Sequence, residues 1–185
     1  MLTVSATALD GVKVIVPAVF NDSRGSFCET YNRDRFFKHG ITLEFVQDNE
    51  SVSAPRGTVR GLHLQKHPAA QDKLVRVTKG SIFDVAVDLR RSSPTYGRWV
   101  AEVLSADNGK QLLVPVGFAH GFCTLEPDTR VVYKVTSYYS AENEVGIAWN
   151  DPDLAIDWPV APGEAVLSDK DARLPPFASL PPVFD

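Results

Sequence analysis

The chain has 185 residues, of which 44% are hydrophobic and 23% charged, and its formal net charge is −4. These values are typical of one soluble globular domain over residues 1–185, and the negative charge argues against a nucleic acid partner. Because the chain has no apolar run of about 18 residues, no basic leader and only two cysteines, Cys28 and Cys123, we expect no membrane span, no disulfide framework and a cytoplasmic location.

Short strands dominate the pattern along the chain. In chain order the predicted strands are 12–16, 58–65, 73–78, 81–89, 99–104, 111–114 and 130–139. Several of them alternate polar and apolar residues, as 83–88 does, which is typical of a sheet with two different faces. One helix is predicted over 33–39, with Asn32 as its N-cap and Gly40 as its stop.

The spacing of these strands predicts the fold class. Many short strands separated by regular turns indicate an all-β protein with a few short helices, built as an antiparallel sandwich or a barrel of the jelly-roll type. Six of the thirteen prolines follow Trp158. We therefore expect the proline-rich tail from residue 159 to lie extended over the barrel rather than to form a second domain.

The segment 60–65, Arg-Gly-Leu-His-Leu-Gln, places a histidine on a predicted strand, with a cation on each side of it in sequence. A neutral imidazole accepts a proton near pH 7, and the flanking Arg60 and Lys73 could hold an anion or stabilise a developing negative charge. A purely structural histidine is the competing interpretation. Strand alternation puts His63 and Arg60 on opposite faces, so Arg60 reaches the same site only if the strand ends or bulges between them.

A metal centre is not expected in this barrel. Jelly-roll metal sites often combine a His-x-His pair with a later carboxylate and a third histidine, and here Gln65 stands where the second histidine would be. His67 precedes a proline and resembles a loop residue, and His120 alone does not complete a set of about three protein ligands.

Four further segments offer polar groups, each with a structural alternative. His120, between Gly117 and Gly121, either belongs to a tight turn or donates a hydrogen bond to a ligand at the barrel mouth. Tyr133 and Tyr139 share a strand face, where one phenol could donate a proton and the other ring could stack on a base, but both could also be core aromatics.

The polar clusters 22–25 with Glu29, and 47–49, suit hydrogen bonding to a nucleobase as well as they suit plain loops. The Ser-x-x-Asp segment 168–171 is either a helix capping box or the source of a carboxylate partner for His63.

Taken together, the motifs resemble the dTDP-4-dehydrorhamnose 3,5-epimerase family over nearly the whole chain. They are the segments 22–27, 46–49, 60–65, 73–75, 84–88, 93–97, 117–122, 133–134 and 168–171. The resemblance implies a cupin-like jelly roll, also called a double-stranded β-helix, that uses no metal or other cofactor. It also implies a homodimer in which an N-terminal segment reaches into the partner's site.

The resemblance assigns roles to individual residues. The implied catalytic residues are His63 as base, Asp171 as its partner, Tyr133 as general acid and Lys73 as the cation at the C4 oxygen. The implied substrate-binding residues are Arg24, Glu29, Gln47, Asp48, Asn49, Arg60, Lys73, His120, Tyr139, Glu144 and Lys170. Of these, Arg60 and Lys170 match positions near the diphosphate, and Tyr139 matches the tyrosine that stacks on thymine.

The implied reaction is epimerisation of dTDP-4-dehydro-6-deoxy-D-glucose at C3 and C5 to dTDP-4-dehydro-L-rhamnose, a step of dTDP-L-rhamnose biosynthesis. Protons at C3 and C5 lie next to the C4 ketone, so removing either one gives an enolate. Three alternatives remain open: an epimerase that acts at C3 only or C5 only, a sugar-nucleotide-binding cupin without catalysis, and a metal-dependent cupin enzyme.

Overall fold

The structure is a computed structural model that describes residues 1–185. Its strands are β1 (Thr3–Ala6), β2 (Lys13–Val16), β3 (Val19–Asp22), β4 (Gly25–Cys28), β5 (Gln47–Ser53), β6 (Val59–Gln65), β7 (Lys73–Lys79), β8 (Ser81–Asp88), β9 (Trp99–Ser105), β10 (Gln111–Val114), β11 (Phe118–Thr124), β12 (Thr129–Val135) and β13 (Glu144–Gly146). The α-helix α1 spans Arg33–Lys38, and three 3-10 helices span Ala141–Asn143, Asp171–Arg173 and Phe177–Ser179. None of these helices combines the length and apolar character that crossing a membrane requires.

Two antiparallel sheets face each other. The six-stranded sheet has the order β1-β2-β10-β7-β12-β5, and the five-stranded sheet has the order β13-β6-β11-β8-β9. Strands β3 and β4 form a separate hairpin. This arrangement is the cupin-like jelly roll that the sequence predicted.

The main core lies between the two sheets. Alternate residues of β7 and β12, such as Val75, Val77 and Val131, meet Ile82 and Ala86 of β8, and all of them are buried. Strand alternation explains this arrangement, because it points every second side chain toward the opposite sheet. The space between the sheets is apolar at one end, and polar side chains of β6, β7 and β12 line it at the other.

A second layer covers the outer face of each sheet. Residues of the C-terminal segment, including Trp149, Trp158 and Phe184, pack on the outward side of the five-stranded sheet with Leu62 and Leu64. On the other side α1 packs on the six-stranded sheet, and Phe36 is its buried residue. These residues of the C-terminal segment therefore pack on the face of β6 that is opposite to the His63 side chain.

The start of helix α1 was predicted correctly from the local sequence, whereas the end of β12 was not. The helix begins after Asn32, whose side chain accepts a hydrogen bond from the Arg35 backbone N–H at 3.1 Å, which confirms the predicted cap. The predicted strand 130–139 was too long, because β12 ends at Val135. Tyr139 therefore lies in the following loop and does not share a strand face with Tyr133.

Candidate functional site

A bulge in the pairing of β6 with β11 brings Arg60 and His63 to one face. His63 pairs with His120 and Arg60 pairs with Phe122, so two residues of β6 lie opposite the single residue Gly121. At Gly61 the two backbones approach so closely that an added Cβ would lie 2.6 Å from the Gly121 Cα. The bulge resets the alternation, and the side chains of Arg60 and His63 line the same cavity.

His63 is paired with a carboxylate from the C-terminal segment. Its Nε2 lies 2.6 Å from Oδ1 of Asp171, and the Asp171 side chain is only 5% exposed. Asp171 itself is positioned by its backbone N–H, which donates to the Ser168 hydroxyl at 3.1 Å. The Ser-x-x-Asp segment therefore fixes the backbone of Asp171 at the start of the 3-10 helix and presents its carboxylate to the imidazole.

The environment of Asp171 keeps this carboxylate ionised. Burial acts to raise the pKa of Asp171, but the hydrogen bond and charge of His63, with hydrogen bonds from Ser168 and the Gly61 backbone, hold that pKa below its usual value. An ionised carboxylate only accepts hydrogen bonds, so the ring nitrogen that faces it carries the proton. The other nitrogen of His63 is thereby left free to accept one.

Lys73 comes from the opposite sheet. It begins β7, and its Nζ donates to the His63 carbonyl oxygen at 3.3 Å. Burial lowers the pKa of Lys73 to about 8, even though the charges of Asp84 and Glu144 act to raise it. Lys73 is thus a cation with few protein partners, held beside the imidazole.

Tyr133 also reaches this space from the six-stranded sheet. It lies on β12, pairs with Val75 of β7 and packs against the main core. Burial raises the pKa of Tyr133, the charge of Arg60 lowers it, and the charge of Glu144 raises it further. The net effect keeps the phenol protonated, as a proton donor requires.

Two adjoining cavities share His63, Lys73 and Tyr133. Cavity A, about 310 Å³, is lined by Gln47, Asn49, His63, Leu64, Gln65, Gln71, Lys73, Tyr133, Tyr139 and Glu144. Cavity B, about 240 Å³, is lined by Ser51, Arg60, His63, Lys73, His120, Phe122, Tyr133, Ser168, Lys170 and Asp171. A base, a phenol and an ammonium therefore surround one space between the sheets, with Arg60 and Lys170 at one side of it.

Polar side chains on the cavity A side form a connected set. Glu144 accepts hydrogen bonds from the Tyr139 hydroxyl at 2.8 Å and pairs with Lys170 at 2.5 Å. Gln47 Nε2 donates to Asn49 Oδ1 at 2.8 Å, on the edge strand β5. Tyr139 is 57% exposed, so one side of this set is open to a stacking partner.

No group of three or more His, Cys, Asp and Glu side chains is arranged to hold a metal ion. Each of the two histidines of cavity B faces a carboxylate instead. His63 contacts Asp171, and His120 Nε2 lies 2.7 Å from Asp84 Oδ1.

Comparison with known proteins identifies the family of this chain. The family model described as dTDP-4-dehydrorhamnose 3,5-epimerase matches residues 6–179. The chain belongs to this epimerase family. The dTDP-4-dehydrorhamnose 3,5-epimerase of Sinorhizobium fredii (strain NBRC 101917 / NGR234) is 54% identical over 173 residues, which make up 94% of this chain and 88% of that relative.

Two solved structures of epimerases share the fold closely. The dTDP-4-dehydrorhamnose 3,5-epimerase of Bacillus anthracis str. Ames, with TDP and PPi bound, is 53% identical with a TM-score of 0.92, covering 95% of this chain and 99% of that one. The dTDP-6-deoxy-D-glucose-3,5-epimerase of Legionella pneumophila Philadelphia 1, in complex with dTDP-4-keto-L-rhamnose, is 43% identical with a TM-score of 0.92, covering 98% and 95%.

Three of the residues that the epimerase resemblance assigned to binding do not line cavity A or cavity B. Arg24 lies at the exposed tip of the β3–β4 hairpin and pairs with Asp22 at 2.6 Å. Glu29 pairs with Arg35 at 3.1 Å, and Asp48 points to the outer face of β5, where it binds Lys134. Cavities A and B are therefore lined without these three residues.

Several further residues of the site were not predicted as site residues from the sequence. Ser51, Gln71, Phe122 and Ser168 line the cavities, and Asp84 lies behind His120. For Asp84 a signal existed, because a carboxylate in the inward-facing set of an alternating strand has to be explained by a partner. Ser168 was visible only as the serine of the Ser-x-x-Asp segment, and Ser51, Gln71 and Phe122 carry no chemistry that a single sequence could single out.

Proposed function

We propose that this epimerase-family member converts dTDP-4-dehydro-6-deoxy-D-glucose to dTDP-4-dehydro-L-rhamnose by epimerisation at C3 and C5, within dTDP-L-rhamnose biosynthesis. The observation that carries the proposal is the arrangement of His63, Lys73 and Tyr133 around one space. A base, a cation and a protonated phenol are the groups that inversion next to a ketone needs. All three come from rigid strands, which favours precise positioning.

The proposed reaction proceeds through an enolate. His63 accepts the carbon-bound proton with its free ring nitrogen, while the carboxylate of Asp171 stabilises the imidazolium that forms. The electron pair moves into the C4 carbonyl, and Lys73 stabilises the resulting oxyanion. Tyr133 returns a proton to the opposite face of the same carbon, which inverts it. His63 then releases its proton to solvent and the Tyr133 phenolate takes one up from solvent, after which a second round at the other carbon completes the product.

The remaining polar groups are proposed to hold the nucleotide. Arg60 and Lys170, on the cavity B side, supply positive charge for a diphosphate. Tyr139 offers an exposed ring for stacking on thymine, and Gln47, Asn49 and Glu144 surround it with hydrogen-bonding groups. His120 is proposed to contact the sugar from the floor of cavity B.

Proton NMR in deuterium oxide with the dTDP-keto sugar tests the function directly. We expect loss of both the C3 and the C5 proton signals and formation of the L-configured product. Exchange at only one of the two carbons would instead identify a monoepimerase. Tight dTDP binding without any exchange would identify a binding protein.

The ionisation of Lys73 predicts how the rate depends on pH. Lys73 stabilises an enolate only as an ammonium, and its pKa of about 8 is the lowest among the groups that must stay protonated, since burial raises the pKa of Tyr133. As the pH rises through about 8, kcat/KM should therefore fall, by about tenfold for each further pH unit. A pH series in wild-type enzyme measures this.

The matched variant for this series is Lys73→Arg. A guanidinium stays charged throughout the accessible range, so the decline near pH 8 should be missing from whatever activity this variant retains. A wild-type profile that stays level to pH 10 would contradict the role of Lys73.

We propose further that the enzyme is a homodimer in which the hairpin β3–β4 completes the partner's site. The hairpin exposes Val19, Phe20 and Phe27 at 51%, 57% and 68%, an apolar surface that its own chain leaves uncovered. Arg24 and Glu29, at and just after this hairpin, would then reach the nucleotide of the partner. We also assign Asp48 to nucleotide binding at the dimer interface. It lies on the edge strand β5, between Gln47 and Asn49, which line cavity A.

Complementation between two inactive variants tests this dimer. One chain carries Arg24→Ala and the other His63→Asn, and the two are co-expressed with different tags and purified as a mixed dimer. If Arg24 serves the partner's site, one of the two sites has an intact His63 and an intact Arg24, so about half of the wild-type activity per dimer should return. An Arg24 that acts in its own chain leaves the mixed dimer no more active than Arg24→Ala alone.

We infer a cytoplasmic location for the enzyme. Cys28 and Cys123 are both free thiols, which suits a reducing compartment. The proposed substrate is a nucleotide-activated sugar, and the proposed product feeds a further biosynthetic step.

A further inference from the structure

Asp84 is a buried carboxylate that the proposed mechanism does not use. It lies on β8, faces the space between the sheets and is 0% exposed. Its Oδ1 accepts a hydrogen bond from His120 Nε2 at 2.7 Å, but its Oδ2 has no hydrogen-bond partner. Burying a carboxylate with one oxygen that lacks a hydrogen bond lowers the stability of the fold. The presence of Asp84 at this position therefore suggests a functional role.

Asp84 lies close to residues that we assign to the reaction. Its partner His120 lies directly across from His63 in the pairing of β11 with β6, and both histidines line cavity B with Lys73. Of the charges that act to raise the pKa of Lys73, that of Asp84 has the largest effect. Because water is excluded from Asp84, its field acts on the cavity with little screening.

We propose that Asp84 is a positioning residue for the epimerisation, which holds the His120 ring against the floor of cavity B and supplies a buried negative charge behind the cavity wall that His120 and Lys73 share. This inference rests on the proposed function. Asp84 makes no contact with the substrate in this role. Its negative charge acts through Lys73, and its hydrogen bond acts through His120.

Other charged and titratable groups also face Lys73, and they have to be separated from Asp84. They are His63 and Arg60 of β6, His120 of β11, Tyr133 of β12, Glu144 of β13, and Lys170 and Asp171 of the C-terminal segment. Glu144 is the only other carboxylate that acts to raise the pKa of Lys73. Glu144 is already engaged by Lys170 and Tyr139, whereas Asp84 has one oxygen without a hydrogen-bond partner and one that contacts only the His120 ring.

The test is the pH dependence of kcat/KM in Asp84→Asn. The asparagine oxygen still accepts the hydrogen bond from His120, so the variant removes the charge and keeps the geometry. We expect the alkaline decline of kcat/KM, near pH 8 in wild-type enzyme, to move to lower pH by about one unit or more. The matched control is Asp88→Asn, on the same strand and also 0% exposed, whose carboxylate is bound by Arg90, Ser93 and Thr95. That variant should lose stability but keep the wild-type decline.

The outcomes separate this inference from the proposed function. Wild-type protein that neither exchanges nor epimerises the dTDP-keto sugar would overturn the proposed function. An active wild-type enzyme whose alkaline decline is unmoved in Asp84→Asn, or is moved equally in Asp88→Asn, would overturn the role of Asp84 alone. If Asp84→Asn does not fold, Asp84→Ser is measured in its place with the same expected shift and the same criteria.

Discussion

Replacing His63 by Asn should abolish incorporation of solvent deuterium at both C3 and C5 of the dTDP-keto sugar. The amide is close in size to the imidazole and can still contact Asp171, but it cannot accept a proton at neutral pH. Loss of a general base lowers rates by roughly 10²–10⁴-fold, and here one base serves both carbons, so neither exchange should survive. The measurement is proton NMR in deuterium oxide under the conditions used for wild-type enzyme.

Two controls separate loss of the base from loss of nucleotide binding and from a general effect of a histidine-to-asparagine change. Binding of dTDP to His63→Asn, measured by calorimetry, should stay close to that of wild-type protein, because the nucleotide is assigned to Arg60, Lys170 and the residues around Tyr139. His39→Asn, at the end of α1 and remote from the cavities, should retain full activity. Exchange near the wild-type rate in His63→Asn would remove this residue from the role of base.

The comparison of sequence with structure shows where local signals are sufficient. Most inner strands were predictable because alternation and β-branched residues repeat there, and the helix was predictable from Asn32 and its neighbours. Strand β11, at the centre of the five-stranded sheet, was not among the predicted strands, because His120 and Gly121 interrupt its apolar residues. The edge strand β5 was not, because only one side of it is paired and its residues, from Gln47 to Ser53, are mostly polar. The hairpin β3–β4 was missed for a related reason, since its apolar residues remain exposed in one chain.

The site needed information that no local pattern contains. His63 and Asp171 are 108 residues apart, and only the packing of the C-terminal segment on the back of β6 brings them together. The sequence showed that Arg60 could join His63 only through an irregular strand, but not that Gly61 and Gly121 let two backbones approach closely enough to form one. Family resemblance supplied these roles, and physical chemistry explains why the fold can support them.

Asp84 shows the opposite case, in which the residue was visible and its meaning was not. An inward-facing carboxylate between Phe83 and Val85 predicts a buried charge, but the partner depends on the register of β8 with β11. That register places Asp84 beside Phe122 and within reach of His120. The partner of this buried carboxylate is thus decided by the pairing of two strands and cannot be deduced from the sequence of either strand alone.

Replacing Tyr133 by Phe should separate proton exchange from inversion. The ring still packs against the main core, so the fold is preserved, but the phenol proton is lost. His63 can still form the enolate and return a deuteron to the face from which the proton was taken. We therefore expect deuterium to enter with retained configuration, while formation of the L-configured product falls by roughly 10²–10⁴-fold.

The decisive measurement follows both events in one sample. Proton NMR in deuterium oxide reports the loss of the C3 and C5 protons, and the coupling constants of the product report its configuration. Tyr96→Phe, whose ring packs on Phe177 away from the cavities, should behave as wild-type enzyme in both respects. Inversion at the full rate in Tyr133→Phe would show that another acid acts on that face. Lys73, Lys170, Tyr139 and the two histidines also line the site, so the pH dependence of that residual rate would then identify which of them donates the proton.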